Sequence, residues 1–181
     1  MSVQITYFVH STTTDNEVGI ATGWLPGELS PLGLKQANQL IELTRDMNFD
    51  AVYTSDLKRA VDTATIAFGA RFEVRPDARL RECNYGDFNG HPKKEFKTHQ
   101  ESFVDMPYPH GECYEDVMRR VHDFLREIKS NHENGRIAIV SHEAPHLALD
   151  VLLKGKTWKQ AFAGYWGKTT GWQPGWEYIL P

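Results

Sequence analysis

Val3, Ile5, Tyr7 and Val9 alternate with Gln4, Thr6 and Phe8, a period of two that predicts a strand running straight into His10. A loop rich in Thr, Gly and Pro then leads to Ser30-Pro31, a cap residue followed by proline in a first helical turn. Leu34, Ala37, Leu40 and Ile41 form the expected buried face of that helix. Ala51 to Thr54 predicts a second strand, after which Ser55 or Asp56 is expected to cap a helix carrying Leu57, Ala60, Val61, Ala64 and Phe68 at helical spacing. Phe72 to Val74 is a short candidate strand, and residues 76–111 are the least regular stretch. From Glu112, the positions Val117, Val121, Phe124, Leu125 and Ile128 mark an amphipathic helix ending near Asn134-Gly135. Ile137, Ala138, Ile139 and Val140 within Arg136–Ser141 make an apolar run suited to a central strand buried on both faces. His142 follows at once, with a helix to about Lys154 and an aromatic tail holding Trp158, Trp166, Trp172 and Trp176.

This alternation predicts an α/β fold: a three-layer sandwich with a mostly parallel central sheet and helices on both faces. No repeat or linker interrupts it, so one domain over residues 1–181 is expected. The net charge of −4 gives no general attraction to nucleic acid or an anionic membrane, so an anion site must be built from local cations and dipoles. No apolar run reaches the ~18 residues needed for a bilayer span, and no leader is evident, which makes the cytoplasm the expected location. Cys83 and Cys113 are too few for a disulfide framework and read as small buried fillers.

Ligands of open α/β sheets bind beyond the carboxyl ends of the strands. His10 ends one predicted strand, His142 ends another, and Arg59 lies early in the helix after a third. One crevice could gather all three. Taken singly, each residue also has an ordinary reading: a packed or capping histidine, an exposed helix cation. Glu82 alone reads as a surface carboxylate, and Asn16 and Thr12 to Thr14 as turn formers.

The motifs in order say more. Phe8 to Asn16 is similar to V-R-H-G-E-T-x-x-N, and Tyr53 to Ala60 with Thr63-Ala64 to Y-S-S-D-L-x-R-A-x-x-T-A. Leu80-Arg81-Glu82 with Tyr85 to Gly90 is similar to L-R-E-x-x-F-G-x-W-E-G; Gly111-Glu112-Cys113 and Val140-Ser141-His142 are similar to G-E-S and V-S-H-G. Together they cover nearly the whole chain, and in this order the sequence resembles the histidine phosphatase superfamily, the phosphoglycerate-mutase-like fold.

That resemblance implies a phosphomonoester hydrolase acting on a small phosphorylated metabolite, without cofactor or metal. His10 would be the nucleophile, Glu82 the acid and then the base, and His142 and Arg59 the groups that hold the phosphoryl oxygens. Asn16, Ser11 and Thr13 are placed with Arg59 as substrate-binding residues. A carboxyl group among apolar neighbours would suit the role given to Glu82. The short span between Gly90 and Gly111 favours the phosphatase branch over the mutases. Neither nucleic acid nor membrane is an expected partner, and the sequence leaves the oligomeric state open.

Four positions depart from the pattern. Val9 stands where the family carries an arginine that forks onto phosphate, and valine has no donor. Ser11 and Thr12 replace glycine and glutamate, and Glu143 replaces the glycine after the second histidine, bringing a negative charge toward an anion pocket. Two readings follow: a weakened or re-specialised phosphatase with the cation supplied by Arg81, Lys93, Lys94 or the substrate's surroundings, or a catalytically inactive relative that binds a phosphorylated ligand or a protein. A third comes from His142-Glu143-Ala144-Pro145-His146, which fits the zinc pattern H-E-x-x-H. That pattern needs both histidines inside a helix, whereas His142 is expected at a strand end and Pro145 suits only a first turn.

Overall fold

The computed structural model describes residues 2–165, 172 and 175–181. Its central sheet has five strands in the order β4-β3-β6-β1-β7: β1 (Val3–Val9), β3 (Ala51–Thr54), β4 (Val74–Pro76), β6 (Arg136–Ser141) and β7 (Trp176–Leu180). The first four are parallel neighbours, and β7 closes the edge antiparallel to β1. The short strands β2 (Ile20–Ala21) and β5 (His91–Pro92) form a separate two-stranded ribbon.

The alternation along β1 and β6 divides the core into two layers. Ile5, Tyr7 and Val9 of β1 and Ile137 and Ile139 of β6 pack on one face against α4 (Tyr114–Asn131), α5 (Glu143–Lys154) and α6 (Trp158–Ala163). Phe8, Ala138 and Val140 face the other way, onto Leu40 of α2 (Pro31–Leu43) and Ala64, Ala67 and Phe68 of α3 (Lys58–Phe68). The expected α/β sandwich with helices on both faces is therefore the observed one. No helix among the described residues is long and apolar enough to cross a membrane.

Local expectations meet the structure unevenly. Ser30 caps α2 by accepting a hydrogen bond from the Gly33 amide. Only Gly33, Ala37 and Leu40 of that helix are buried, however; Leu34 and Ile41 face solvent. Gly33 explains the difference, because a Cβ there would collide with the Thr12 carbonyl oxygen. The helix presses its small face, not its leucine face, onto the loop after His10. Neither Ser55 nor Asp56 is the cap of α3: Leu57 holds that position, Ser55 Oγ accepts from the Leu57 amide, and Asp56 is engaged by Arg81. The third predicted strand lies two residues later than expected, at Val74–Pro76. The tail yields β7, with Tyr178 and Leu180 turned inward.

Candidate active site

Three parallel strands end at one crevice, and each delivers a side chain. β1 delivers His10, whose amide donates to the Ser141 carbonyl at 2.9 Å and so continues the ladder between β1 and β6. β6 delivers His142, the N-cap of α5. The turn after β3 delivers Arg59 in the first turn of α3.

The ring of His10 is locked in one tautomer. Its Nδ1 lies 2.8 Å from the Ser11 carbonyl oxygen, an acceptor only, so Nδ1 carries the proton and Nε2 keeps its lone pair. Arg59 Nε donates toward Nε2 at 3.3 Å. Burial, and then the Arg59 charge, push the His10 imidazole down to about 3, which keeps it neutral over the whole physiological range.

Arg59 is almost fully buried and is held from behind by carbonyls: NH2 donates to Gly23 at 2.9 Å and NH1 to Leu25 at 3.3 Å. Thr63, one turn on, accepts from the Ser11 amide at 3.0 Å and donates to the Arg59 carbonyl at 2.8 Å, tying α3 to the loop after His10.

His142 has its ring centroid 5.1 Å from that of His10. It is fully buried, and neither ring nitrogen has a hydrogen-bond partner among the described residues. Burial holds it well below the usual histidine range. Its backbone is gripped from the sheet side, since the Tyr7 hydroxyl donates to the His142 carbonyl at 2.6 Å and accepts from its amide at 3.0 Å.

Glu82 enters the same crevice from the irregular segment. The apolar surroundings expected for it are not what the structure shows, because Oε1 accepts from the Cys83 amide at 2.8 Å and the Ala144 amide at 3.0 Å. The carboxylate thus doubles as a cap on α5. Its own carbonyl accepts from Trp24 Nε1 at 2.7 Å and from Arg120 at 3.0 Å. Neither contact is encoded locally: Trp24 sits in the loop before the first long helix, and Arg120 belongs to no motif or predicted strand end.

A pocket of about 480 Å³ opens beside these groups, lined by Val9, His10, Asn16, Arg59, Glu82 and Lys93 among others. Ser11, Thr13 and the fully buried His142 are not among the residues that line it. The Ser11 side chain is buried against the protein, and Thr13 is the N-cap of α1 (Thr14–Glu17), exchanging hydrogen bonds with Asn16. The Asn16 side chain spends its oxygen on the Thr13 amide, and the residue lines the pocket.

Of the three cations named as substitutes for the missing arginine, the structure separates one. Arg81 forks onto Asp56 at 2.7 and 2.6 Å and covers the Trp24 ring, while Lys94 lies outside this pocket. Lys93 lines it, with no ion pair among the described residues, and burial lowers its ammonium from the usual lysine range. Lys97, which no sequence motif marked, also lines the pocket. Its ammonium donates to Glu143 at 3.0 Å and to the Tyr85 hydroxyl at 2.8 Å. Burial works against the Glu143 charge, yet Lys97 holds its carboxyl below the usual range.

The zinc pattern does not assemble. His142 is an extended cap residue outside α5, and His146 packs between the rings of Tyr7 and Trp176, at 5.6 and 4.4 Å. No group of potential ligands among the described residues is arranged to hold a metal ion. Of the late tryptophans, Trp158 stacks on Phe162 and Trp172 lines the pocket, while Trp166 lies outside the described residues.

The chain is similar to several known phosphatases and mutases. The chain is 35% identical to a phosphoserine phosphatase 1 of Hydrogenobacter thermophilus over 156 residues, covering 81% of this chain and 74% of that one. It is 32% identical to a 2,3-bisphosphoglycerate-dependent phosphoglycerate mutase of Cytophaga hutchinsonii, over 74% of this chain and 68% of that one. A solved structure of mycobacterial glucosyl-3-phosphoglycerate phosphatase, complexed with VO3, superposes with a TM-score of 0.78 at 26% identity, covering 88% of this chain and 86% of the other. Residues 7–169 match the family model of the histidine phosphatase superfamily (branch 1), and the chain, with His10, Arg59 and His142 placed beyond the carboxyl ends of its parallel strands, belongs to that family.

Proposed function

We propose that this phosphomonoesterase removes the phosphoryl group of a small phosphorylated metabolite in two steps through His10. The lone pair of His10 Nε2 attacks phosphorus, the ester P–O bond breaks, and Glu82 acts as the general acid that protonates the leaving oxygen. Water then attacks the phosphohistidine, its proton passes to Glu82, and the N–P bond breaks with its electron pair returning to Nε2. Alcohol and inorganic phosphate leave.

The observation that carries this reading is the tautomer lock. A histidine whose Nδ1–H is tied to a backbone carbonyl presents its lone pair in one direction, toward Arg59 and the pocket. The donors around it suit a phosphoryl group. Arg59 forks onto the oxygens, the unpartnered His142 ring offers an N–H, and Asn16 adds its amide. Val9 contributes nothing to an anion, and we assign the missing charge to Lys93. Family relatives include both phosphatases and mutases, and the short span between Gly90 and Gly111 favours the former.

The test is to quench turnover of a radiolabelled phosphomonoester in base and map the label. Acid-labile label on the peptide containing His10, absent from His10→Ala together with all turnover, is the expected result. Turnover that survives in His10→Ala would overturn it. Saturable phosphate binding with no turnover of any phosphomonoester would favour an inactive, ligand-binding relative.

A further inference from the structure

The pocket has a second end. Lys97 and Glu143 meet there across 3.0 Å, each side chain 15% exposed, and both line the cavity that His10 and Arg59 share. Glu143 is the first residue of α5, directly after His142, where the family pattern carries glycine. Its carboxylate is also bonded to Tyr165, and Lys97 lies over the Tyr85 ring at 4.7 Å. Two aromatic hydroxyls and two opposite charges thus close on one another within the pocket wall.

We infer that the Glu143–Lys97 pair selects substrates whose part beyond the phosphoryl group carries no net charge, an inference that rests on the phosphomonoesterase reading above. Among the described residues, the charged groups lining the pocket are Arg59, Lys93, Lys97, Glu82 and Glu143. With Lys97 spent on Glu143, Arg59 and Lys93 are the cations left among the described residues, and both are needed by the phosphoryl group. A carboxylate or second phosphoryl group at this end would lose its water and find a lysine already neutralised, with a carboxylate beside it. A neutral or zwitterionic remainder meets no such opposition. Glycine at position 143 would leave Lys97 unpaired and turn the same wall into an anion subsite. One residue therefore sets the charge class of the leaving group.

The matched pair of probes is glycerol 3-phosphate and 3-phosphoglycerate, which differ at the far end by a hydroxymethyl group against a carboxylate. Their dissociation constants, read by calorimetry, and their kcat/KM values are compared in the wild type, Glu143→Gln, and Glu143→Gln with Lys97→Met. Glutamine keeps the hydrogen bonds of Glu143 and removes its charge, which guards against misfolding; circular dichroism and thermal unfolding check this. The wild type should favour glycerol 3-phosphate. In Glu143→Gln the ratio should swing toward 3-phosphoglycerate by about tenfold or more, the scale of one desolvated charge contact. In the double variant it should return to within about threefold of wild type, since both charges are gone.

A wild type that already prefers 3-phosphoglycerate, or a folded Glu143→Gln whose ratio does not move, would overturn the inference. Because binding is read separately, these outcomes do not depend on turnover. Absence of all turnover with the predicted swing in binding would sink the phosphomonoesterase reading and leave the charge selection standing.

Discussion

Arg59 Nε points at His10 Nε2 across 3.3 Å, while the two outer nitrogens of the same guanidinium are held by the carbonyls of Gly23 and Leu25. The fork is thus aimed before any ligand arrives. Lysine at position 59 could not satisfy both carbonyls and still reach the phosphoryl group. Arg59→Lys should lower kcat/KM on the order of 10²–10³-fold, the loss seen when one transition-state donor goes. Steady-state kinetics on an aryl phosphate measure it, and a loss below about threefold would remove Arg59 from the reaction.

Glu82→Gln separates chemistry from capping. The glutamine oxygen can still accept from Cys83 and Ala144, so α5 keeps its cap and the fold its stability. The proton for the leaving oxygen is lost. Hydrolysis of alkyl phosphates should fall about 10²–10⁴-fold, and that of an activated aryl phosphate, whose phenolate barely needs the proton, far less. Equal losses on both substrates would assign Glu82 to α5 alone.

Val9 and Lys93 form a natural double-variant cycle. Val9→Arg restores a fork at the end of β1 and should raise kcat/KM roughly 30- to 150-fold. Lys93→Met in the wild-type background should cost about tenfold or more; with arginine at position 9 the same change should cost much less. Additive effects would mean that Lys93 does not stand in for the missing arginine. Val9→Arg combined with Glu143→Gly tests whether the new guanidinium is otherwise captured by Glu143.

The buried histidines predict a sensitivity to acid. Burial lowers the His146 imidazole to about 4, against an ordinary value near 6.5 in the unfolded chain. The unfolded state therefore binds the proton first, so stability is intact above about pH 6.5 and is lost as pH falls from there toward 4. Between pH 7 and 5 this one residue should cost about 2 kcal/mol. Urea unfolding at the two pH values gives the slope, and His146→Phe should flatten it by that amount. An unchanged slope would mean that His146 is not buried neutral. By the same sign, His10, lowered to about 3, stays a competent neutral nucleophile at pH 5.

What the sequence made legible follows from how each contact is encoded. β6 and the buried positions of α4 were readable because burial on both faces and a helical period are local signals, and His10 and His142 because strand ends are where α/β sites gather. The buried face of α2 was misread because leucines there promise burial, while the true contact needs the small side of the helix against Thr12. Ser11 and Thr13 lie close to the nucleophile in sequence, yet Ser11 is buried with its amide tied to Thr63, and Thr13 is spent capping α1. Lys97 and Arg120 had no local mark at all. Each matters through a partner many residues away, Glu143 for one and the Glu82 carbonyl for the other. β7 carried a period-two pattern in Trp176, Tyr178 and Leu180 that the aromatic composition of the tail masked.

The hydrogen bonds from Tyr7 to the His142 backbone have a consequence for how such a pocket changes over time. Tyr7 lies in β1 and His10 directly follows that strand, three residues on, so β1 carries the grip on His142 and leads straight into the nucleophile. The gap between the two imidazoles is therefore gauged by strand register, which slips only in whole residues. The Lys93, Lys97 and Tyr165 side of the pocket sits on loops and short turns that are not part of that gauge. Loops can drift, lengthen or swap their charges while the spacing of the reacting groups stays fixed. A lineage built on this frame can try new leaving groups without retuning its chemistry.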